Sequence, residues 1–126
     1  MARPAFTLKA AGREIDLRFD MDAIEWFERK RGFGMVAALS EHMGIETTIW
    51  LMLAGVRHRK DGTTYEQMKS LLQAHVDQQP APGQPGPHLG DITNQLVDAM
   101  RHYGILPPAE YDAKSDSARP SQPRAE

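Results

Sequence analysis

The fold of this chain is decided by the apolar stretch Ile49-Trp50-Leu51-Met52-Leu53-Ala54. A helix that is apolar on every side is buried on most of its sides. The stretch therefore predicts a central core helix over residues 46–58. Because an unpaired charge in a core costs several kcal/mol, we expect Leu51→Asp or Leu53→Asp to unfold the protein.

Two segments that precede this helix alternate between apolar and polar residues. Single polar residues separate Phe6, Leu8 and Ala10, and the alternation resumes after Gly12. Period-two alternation around a glycine-containing turn is typical of a β-hairpin. An isolated hairpin is barely stable in water, so its apolar face must pack against the helices. The side chains expected on that face are Phe6, Leu8, Ile15, Leu17 and Phe19.

Capping residues mark the ends of the other helices. Asp20 is a suitable N-cap and Gly32 a suitable left-handed C-cap for a first helix. A short second helix is expected over residues 34–43. Thr63 and Glu66 have the spacing of a capping box, which predicts that another helix begins there. The apolar stripe of that helix consists of Met68, Leu71, Leu72 and Val76.

Composition divides the chain into four parts. Residues 1–77 hold the hairpin and the first four helices and are expected to form the core domain. Residues 78–88 are rich in proline and glycine, which is typical of a linker. Residues 89–104 form an amphipathic helix, and residues 105–126 are expected to be disordered because prolines and charges dominate them. The predicted fold class is α+β, with an N-terminal β-hairpin packed on a small bundle of four to five helices and a disordered C-terminal tail.

Charge and composition narrow the classes of partner. The net charge is −2, from 15 basic and 17 acidic residues, so nucleic acid is not expected to bind, and no membrane is expected as a partner. The basic runs at residues 29–31 and 57–60 fall at predicted helix C-termini, where cations complement the helix dipole. The chain has no cysteine for a disulfide or a thiolate metal site. Its longest apolar run, residues 49–54, is far short of the roughly 20 residues that a membrane span needs.

The chain carries no recognisable catalytic motif. The acid pairs Asp20/Asp22 and Glu25/Glu28 lie in the first helix, where the helix dipole explains the acids nearest the N-terminus. None of the histidines has the i, i+4 spacing of a helical metal pair. Surface or helix-end positions are expected for His42, His58, His75, His88 and His102. We therefore expect no catalytic, metal or cofactor site, and predict that the protein is not an enzyme.

Apolar side chains remain after the predicted core has been filled. Phe27 and its apolar neighbours define the buried arc of the first helix, and Trp26 falls on the flank of that arc. Tryptophan and methionine are typical of adaptable contacts between proteins. The predicted partner-binding residues are Trp26, Phe33, Met35, Leu39 and Met43. The alternative is that the second helix simply completes the core.

Four motifs, taken in order, resemble a known family. They are Leu17-Arg18-Phe19-Asp20, Ala23-Ile24-Glu25-Trp26-Phe27-Glu28, Trp50-Leu51-Met52-Leu53-Ala54-Gly55-Val56-Arg57-His58 and Thr63-Thr64-Tyr65-Glu66-Gln67-Met68. Their order and spacing over residues 5–77 resemble the small tail assembly chaperones of long-tailed bacteriophages, their prophages and gene transfer agents. Residues 78–126 lie outside the resemblance.

The resemblance implies a non-catalytic role in the cytoplasm of a bacterial host. Such chaperones bind the long helical tape measure protein before the tail tube polymerises, keep it soluble, and are absent from the finished particle. The implied partner is therefore a tape measure protein, with other tail proteins and copies of the chain itself along that partner as further expectations. In some phages a longer frameshifted form of the chaperone also exists.

Two other classes of function stay open at this point. A minor structural tail or connector protein would also need apolar contact surface, so composition does not separate it from a chaperone. A small DNA-binding regulator is the third alternative. The helix that would have to read DNA, residues 64–76, carries one lysine and no arginine, which argues against it.

Overall fold

The computed structural model describes residues 4–108 of the chain, and these form a hairpin followed by helices. The strands are β1 (Phe6–Ala10) and β2 (Arg13–Leu17). The helices are α1 (Met21–Arg31), α2 (Met35–Glu41), α3 (Ile45–Val56), α4 (Tyr65–Val76) and α5 (Leu89–His102), with a 3-10 turn (Arg57–Arg59) after α3. The predicted α+β class is confirmed. Residues 109–126, most of the predicted disordered tail, lie outside the described residues.

The hairpin is antiparallel and has one buried face. Leu8 pairs with Ile15, and Phe6 pairs with Leu17. The two-residue turn at Ala11 and Gly12 has positive φ at both positions, which matches the twist of the flanking strands. The predicted inward side chains are confirmed: Phe6 is partly buried against the core, and the buried ones are Leu8, Ile15, Leu17 and Phe19.

Helix α3 is the centre of the fold, as predicted. Every residue from Thr47 to Val56 is buried except Trp50. The helix packs against β2, α1, α4 and α5. It ends at Val56, two residues earlier than expected, because the chain tightens into the 3-10 turn.

Helix α5 belongs to the same core as the rest of the fold. The sequence-based division placed residues 89–104 outside the core domain 1–77. In the structure α5 packs on β1, α3 and α4. Its fully buried side chains are Ile92, Leu96, Ala99 and Met100. The core therefore continues beyond the proline-rich segment, in which residues 78–88 form no helix or strand.

Helix α5 also binds the backbone of the hairpin. The side-chain amide of Gln95 accepts a hydrogen bond from the Lys9 N–H at 2.7 Å and donates one to the Lys9 carbonyl at 2.8 Å. This amide pairs with β1 as a neighbouring strand would, and so covers its free edge. The Tyr103 hydroxyl shares its one proton between the carbonyl oxygens of Pro4, at 2.9 Å, and Leu17, at 3.2 Å. Burial raises the pKa of this phenol above its ordinary value.

The helix caps were predicted correctly at α1 and one residue away at α4. Asp20 accepts the Ala23 N–H at 2.8 Å, and Gly32 adopts the left-handed C-cap conformation. The capping box of α4 uses Thr64 and Gln67, not Thr63 and Glu66. Thr63 belongs to the preceding turn, because the Asp61 carboxylate accepts both its N–H and its hydroxyl.

The ends of two other predicted segments also differ. Helix α2 covers Met35–Glu41 instead of residues 34–43, so Met43 lies in the loop after it. Ile105 and Leu106, placed in the disordered tail by composition, pack partly against the core. Their N–H groups both donate to the Met100 carbonyl, which closes the end of α5. No helix within residues 4–108 is long and apolar enough to cross a membrane.

Candidate partner-binding surface

Three aromatic side chains from three different helices form a row on the surface, here called the aromatic row. Trp26 comes from α1, Trp50 from α3 and Tyr65 from the first turn of α4. The Trp26 and Trp50 ring centroids are 5.8 Å apart, and those of Trp50 and Tyr65 are 5.9 Å apart. All three are only partly buried. The row therefore joins the outer sides of three helices and keeps apolar area in contact with solvent.

Positively charged side chains lie against the aromatic row. The guanidinium carbon of Arg57 is 5.1 Å from the Trp26 ring centroid, and Lys30 Nζ is 6.0 Å from it. Arg31 lies 6.0 Å from the Trp50 ring centroid. These distances are within the range of cation–π attraction. The basic runs predicted to complement helix dipoles thus also flank Trp26 and Trp50.

Arg31 connects the row to a second aromatic cluster. Its guanidinium is also 5.5 Å from the Phe33 ring and pairs with Glu46, at the start of α3, at 3.0 Å. Phe33 packs edge-on against Phe27 and stacks on His42 at a centroid distance of 4.0 Å. The cation that ends α1 therefore ties the loop before α2 to α3.

Of the five predicted partner-binding residues, four lie at the surface to some extent. Trp26 is in the aromatic row, while Phe33 and Leu39 are partly buried. Met43 is 37% exposed. Met35 is different, because its side chain is fully buried in the core.

Met35 is buried because it lies on the side of α2 that packs against the core. The helix buries Met35 and Ala38, three residues apart, while Leu39 is only partly buried. Met35 therefore completes the core, as the alternative interpretation held, and we remove it from the candidate surface.

Trp50 and Tyr65 were not identified from the sequence. Periodicity does not separate Trp50 from its neighbours, since the stretch around it is apolar on all sides. Tyr65 stood at the start of a helix, outside its apolar stripe. The available signal was Trp26, beside the buried arc of α1, together with the basic residues at the end of α1 and directly after α3.

The aromatic row forms one wall of a groove of about 350 Å³, here called the aromatic groove. Leu53 and Val56, both buried residues of α3, also line it. Its remaining lining residues are Lys30, Arg57, Lys60, Asp61, Gly62 and Thr63. A groove of this composition suits an apolar side chain that carries a polar or charged neighbour.

A second apolar patch surrounds α2. Val36 is 51% exposed and Ile45, at the start of α3, is 45% exposed. Together with Met43, these side chains leave apolar surface exposed on α2 and beside it. We treat this patch as secondary, because its residues come from one short helix and its flanks.

Two further hollows lie beside the groove and are more polar. One, of about 640 Å³, lies between β2 and α4 and is lined by both apolar and charged side chains. The other, of about 550 Å³, borders Trp26 and is lined mainly by charged residues of α1 and the 3-10 turn. In the latter, Glu25 pairs with Arg29 at 3.2 Å, so part of its charge is neutralised internally.

His75, near the C-terminal end of α4, is a buried histidine that is only 8% exposed. Its Nδ1 accepts the Ala11 N–H at 3.0 Å, so the ring proton is on Nε2, 2.9 Å from the Asp91 carboxylate. The hydrogen bonds from the His88 N–H and from His75 hold the pKa of Asp91 below its ordinary value. The network joins the hairpin turn, α4 and α5. Within residues 4–108, no three histidine, aspartate or glutamate side chains are placed to hold a metal ion.

Comparison with protein-family models, with curated protein sequences and with solved structures finds no match for this chain.

Proposed function

We propose that this protein is a non-catalytic tail assembly chaperone, which binds a tape measure protein in the bacterial cytoplasm before the tail forms and is absent from the mature particle. The observation that carries the proposal is the aromatic row, in which Trp26, Trp50 and Tyr65 stay partly exposed beside a well-filled core. The resemblance of residues 5–77 to such chaperones supports it.

The physical demands of a tape measure protein match this surface. A long helical chain with apolar stripes aggregates unless those stripes are covered. A small domain with one groove covers a short stretch of helix by accepting apolar side chains that recur every three or four residues. Many copies along one chain bind with a combined strength well above that of a single contact.

Co-expression with a tape measure protein encoded in the same genome tests the proposal. With the wild-type chain, we expect the tape measure protein to stay soluble and to co-purify with it. Trp26→Ala and Tyr65→Ala should each reduce co-purification while the variant remains folded. Met21→Ala is the matched control, because Met21 is 76% exposed at the start of α1 and lies outside the groove.

Two results would contradict the proposal. The first is a tape measure protein that is equally soluble without this chain. The second is stoichiometric presence of this chain in purified particles, which would instead identify it as a structural tail component.

A further inference from the structure

The charges around the aromatic groove are unbalanced. Lys30, Arg57 and Lys60 line it, and none of the three forms an ion pair with another residue of the described part of the chain. Within residues 4–108, Lys30 and Arg57 instead lie against the Trp26 ring. Cation–π contacts at exposed sites leave the positive charge available to a carboxylate.

The one acidic residue that lines the groove is already engaged. Asp61 is ion-paired with Arg59 and accepts the Thr63 hydroxyl at 2.6 Å. The hydrogen bond from Thr63, together with Arg59, holds the pKa of this carboxyl below its ordinary value. Asp61 therefore forms no ion pair with Lys30, Arg57 or Lys60.

The arrangement of the rings argues for apolar side chains over nucleotide bases. In proteins that bind single-stranded nucleic acids, the bases stack on open aromatic faces. Here Arg57 and Lys30 lie against Trp26, and Arg31 lies against Trp50. Neighbouring rings of the row are tilted by 47° and 53°, so they present no parallel stack. Leu53 and Val56, which also line the groove, are aliphatic.

We propose that the occupant of the aromatic groove is an amphipathic helix of the partner protein whose apolar stripe is flanked by aspartate or glutamate. Its apolar side chains contact Trp26, Trp50 and Tyr65. Its carboxylates pair with Lys30, Arg57 and Lys60. The inference deepens the proposed function and rests on it, since it specifies the chemistry of the segment that the chaperone binds.

The test uses the full chain and synthetic labelled peptides of about 20 residues, long enough to form helix in isolation. Three peptides share one Leu/Met stripe and differ only at the flanking positions, which are Glu, Gln or Lys. Fluorescence anisotropy should show the tightest binding for the Glu peptide, and added salt should remove most of its advantage.

Charge-neutral variants localise the effect. Lys30→Gln/Lys60→Gln should weaken binding of the Glu peptide by about tenfold, as expected for two exposed ion pairs, and leave the Gln peptide unchanged. The matched control is Lys9→Gln/Lys69→Gln, which removes the same charge from exposed positions outside the groove. Trp26→Ala should weaken all three peptides, because it removes apolar contact.

Several outcomes would overturn the inference. They are equal binding of the three peptides, no binding of any peptide, an equal loss in the two lysine double variants, or displacement of the Glu peptide by single-stranded DNA at physiological salt. A tape measure protein that co-purifies undiminished with Lys30→Gln/Lys60→Gln would remove this inference and leave the proposed chaperone function intact. A tape measure protein that does not co-purify even with the wild-type chain would contradict the proposed function itself.

Discussion

Gly55 of α3 lies so close to Leu17 at the end of β2 that a β-carbon on Gly55 would be 2.7 Å from Leu17 Cδ2 and 3.1 Å from Leu17 Cβ. The Gly55 carbonyl also accepts the Arg18 N–H at 2.8 Å. The absence of a side chain at residue 55 therefore lets the hairpin reach the central helix. This contact also gives a physical reason for a glycine within the apolar helix.

Gly55→Ala should destabilise the protein. Alanine favours a helix over glycine by about 1 kcal/mol, but forcing a methyl group into a filled core costs about 1–3 kcal/mol. Leu17 is fully buried, and its Cβ and Cγ as well as its Cδ2 lie within 3.3 Å of the added carbon, so we expect a net loss of about 1 kcal/mol. Urea unfolding measures it. Gly86→Ala is the control, because nothing lies within 4 Å of the β-carbon it would add; an equal loss in both variants would contradict the close contact.

The chain should tolerate truncation at its C-terminal end but not before α5. Removing residues 78–126 deletes Ile92, Leu96 and Met100, each fully buried. Burial of a large apolar side chain contributes about 1.5–3 kcal/mol, so the total rivals the stability of a small domain. Removing residues 109–126 leaves this core complete. Circular dichroism melts should therefore be cooperative for residues 1–108 and absent for residues 1–77. A cooperative melt of the shorter chain would show that α5 is dispensable.

Local patterns in the sequence predicted the helices and strands better than the surfaces against which they pack. The alternation of Leu8, Ile15 and Leu17 identified the hairpin face, and Asp20 and Gly32 identified the ends of α1. The proline-rich segment resembled a domain boundary, yet the amphipathic stripe of α5 packs into the shared core. An apolar stripe shows that a helix has something to bury but not which surface receives it.

The errors at single residues have equally local causes. Two consecutive threonines, followed by Glu66 and Gln67, offer two overlapping capping boxes, and the contact of Thr63 with Asp61 decides between them. The aromatic row could be anticipated only in part, because it brings together Trp26, Trp50 and Tyr65 from three helices. Their proximity depends on tertiary packing, which one-dimensional periodicity does not encode.

The network around His75 should be worth more than one ordinary hydrogen bond. His75→Ala leaves the partly buried Ala11 N–H without its acceptor and Asp91 without one donor, which should cost about 1–3 kcal/mol. In a double-mutant cycle with Asp91→Ala, we expect a coupling energy of about 0.5–3 kcal/mol. Chemical denaturation of the four proteins measures both quantities. Additive losses would show that the two side chains act independently.

The lowered pKa of Asp91 makes part of the stability depend on pH. A carboxyl whose pKa is lower in the folded state stabilises that state above its unfolded pKa, about 3.9, and the contribution disappears as pH falls through the folded pKa. The unfolding free energies of the wild type and Asp91→Asn should therefore differ most above about pH 5 and converge as the pH falls through the folded pKa of Asp91. A difference that grows on acidification would contradict the assigned hydrogen bonds.

Trp26 and Met35 should separate binding from stability. Met35 is fully buried, so Met35→Ala should cost about 2–5 kcal/mol and lower the melting temperature markedly. Trp26 packs against Trp50 at the edge of the groove and stays partly exposed, so Trp26→Ala should cost much less.

If the aromatic groove receives the partner, Trp26→Ala should weaken co-purification of the tape measure protein by more than it lowers stability. Met35→Ala should lower both together, because it reduces the amount of folded protein. Calorimetry and pull-down on the same preparations compare the two variants. Full retention of the partner by a folded Trp26→Ala variant would show that the partner binds elsewhere, and the patch of Val36, Met43 and Ile45 would be the next surface to test.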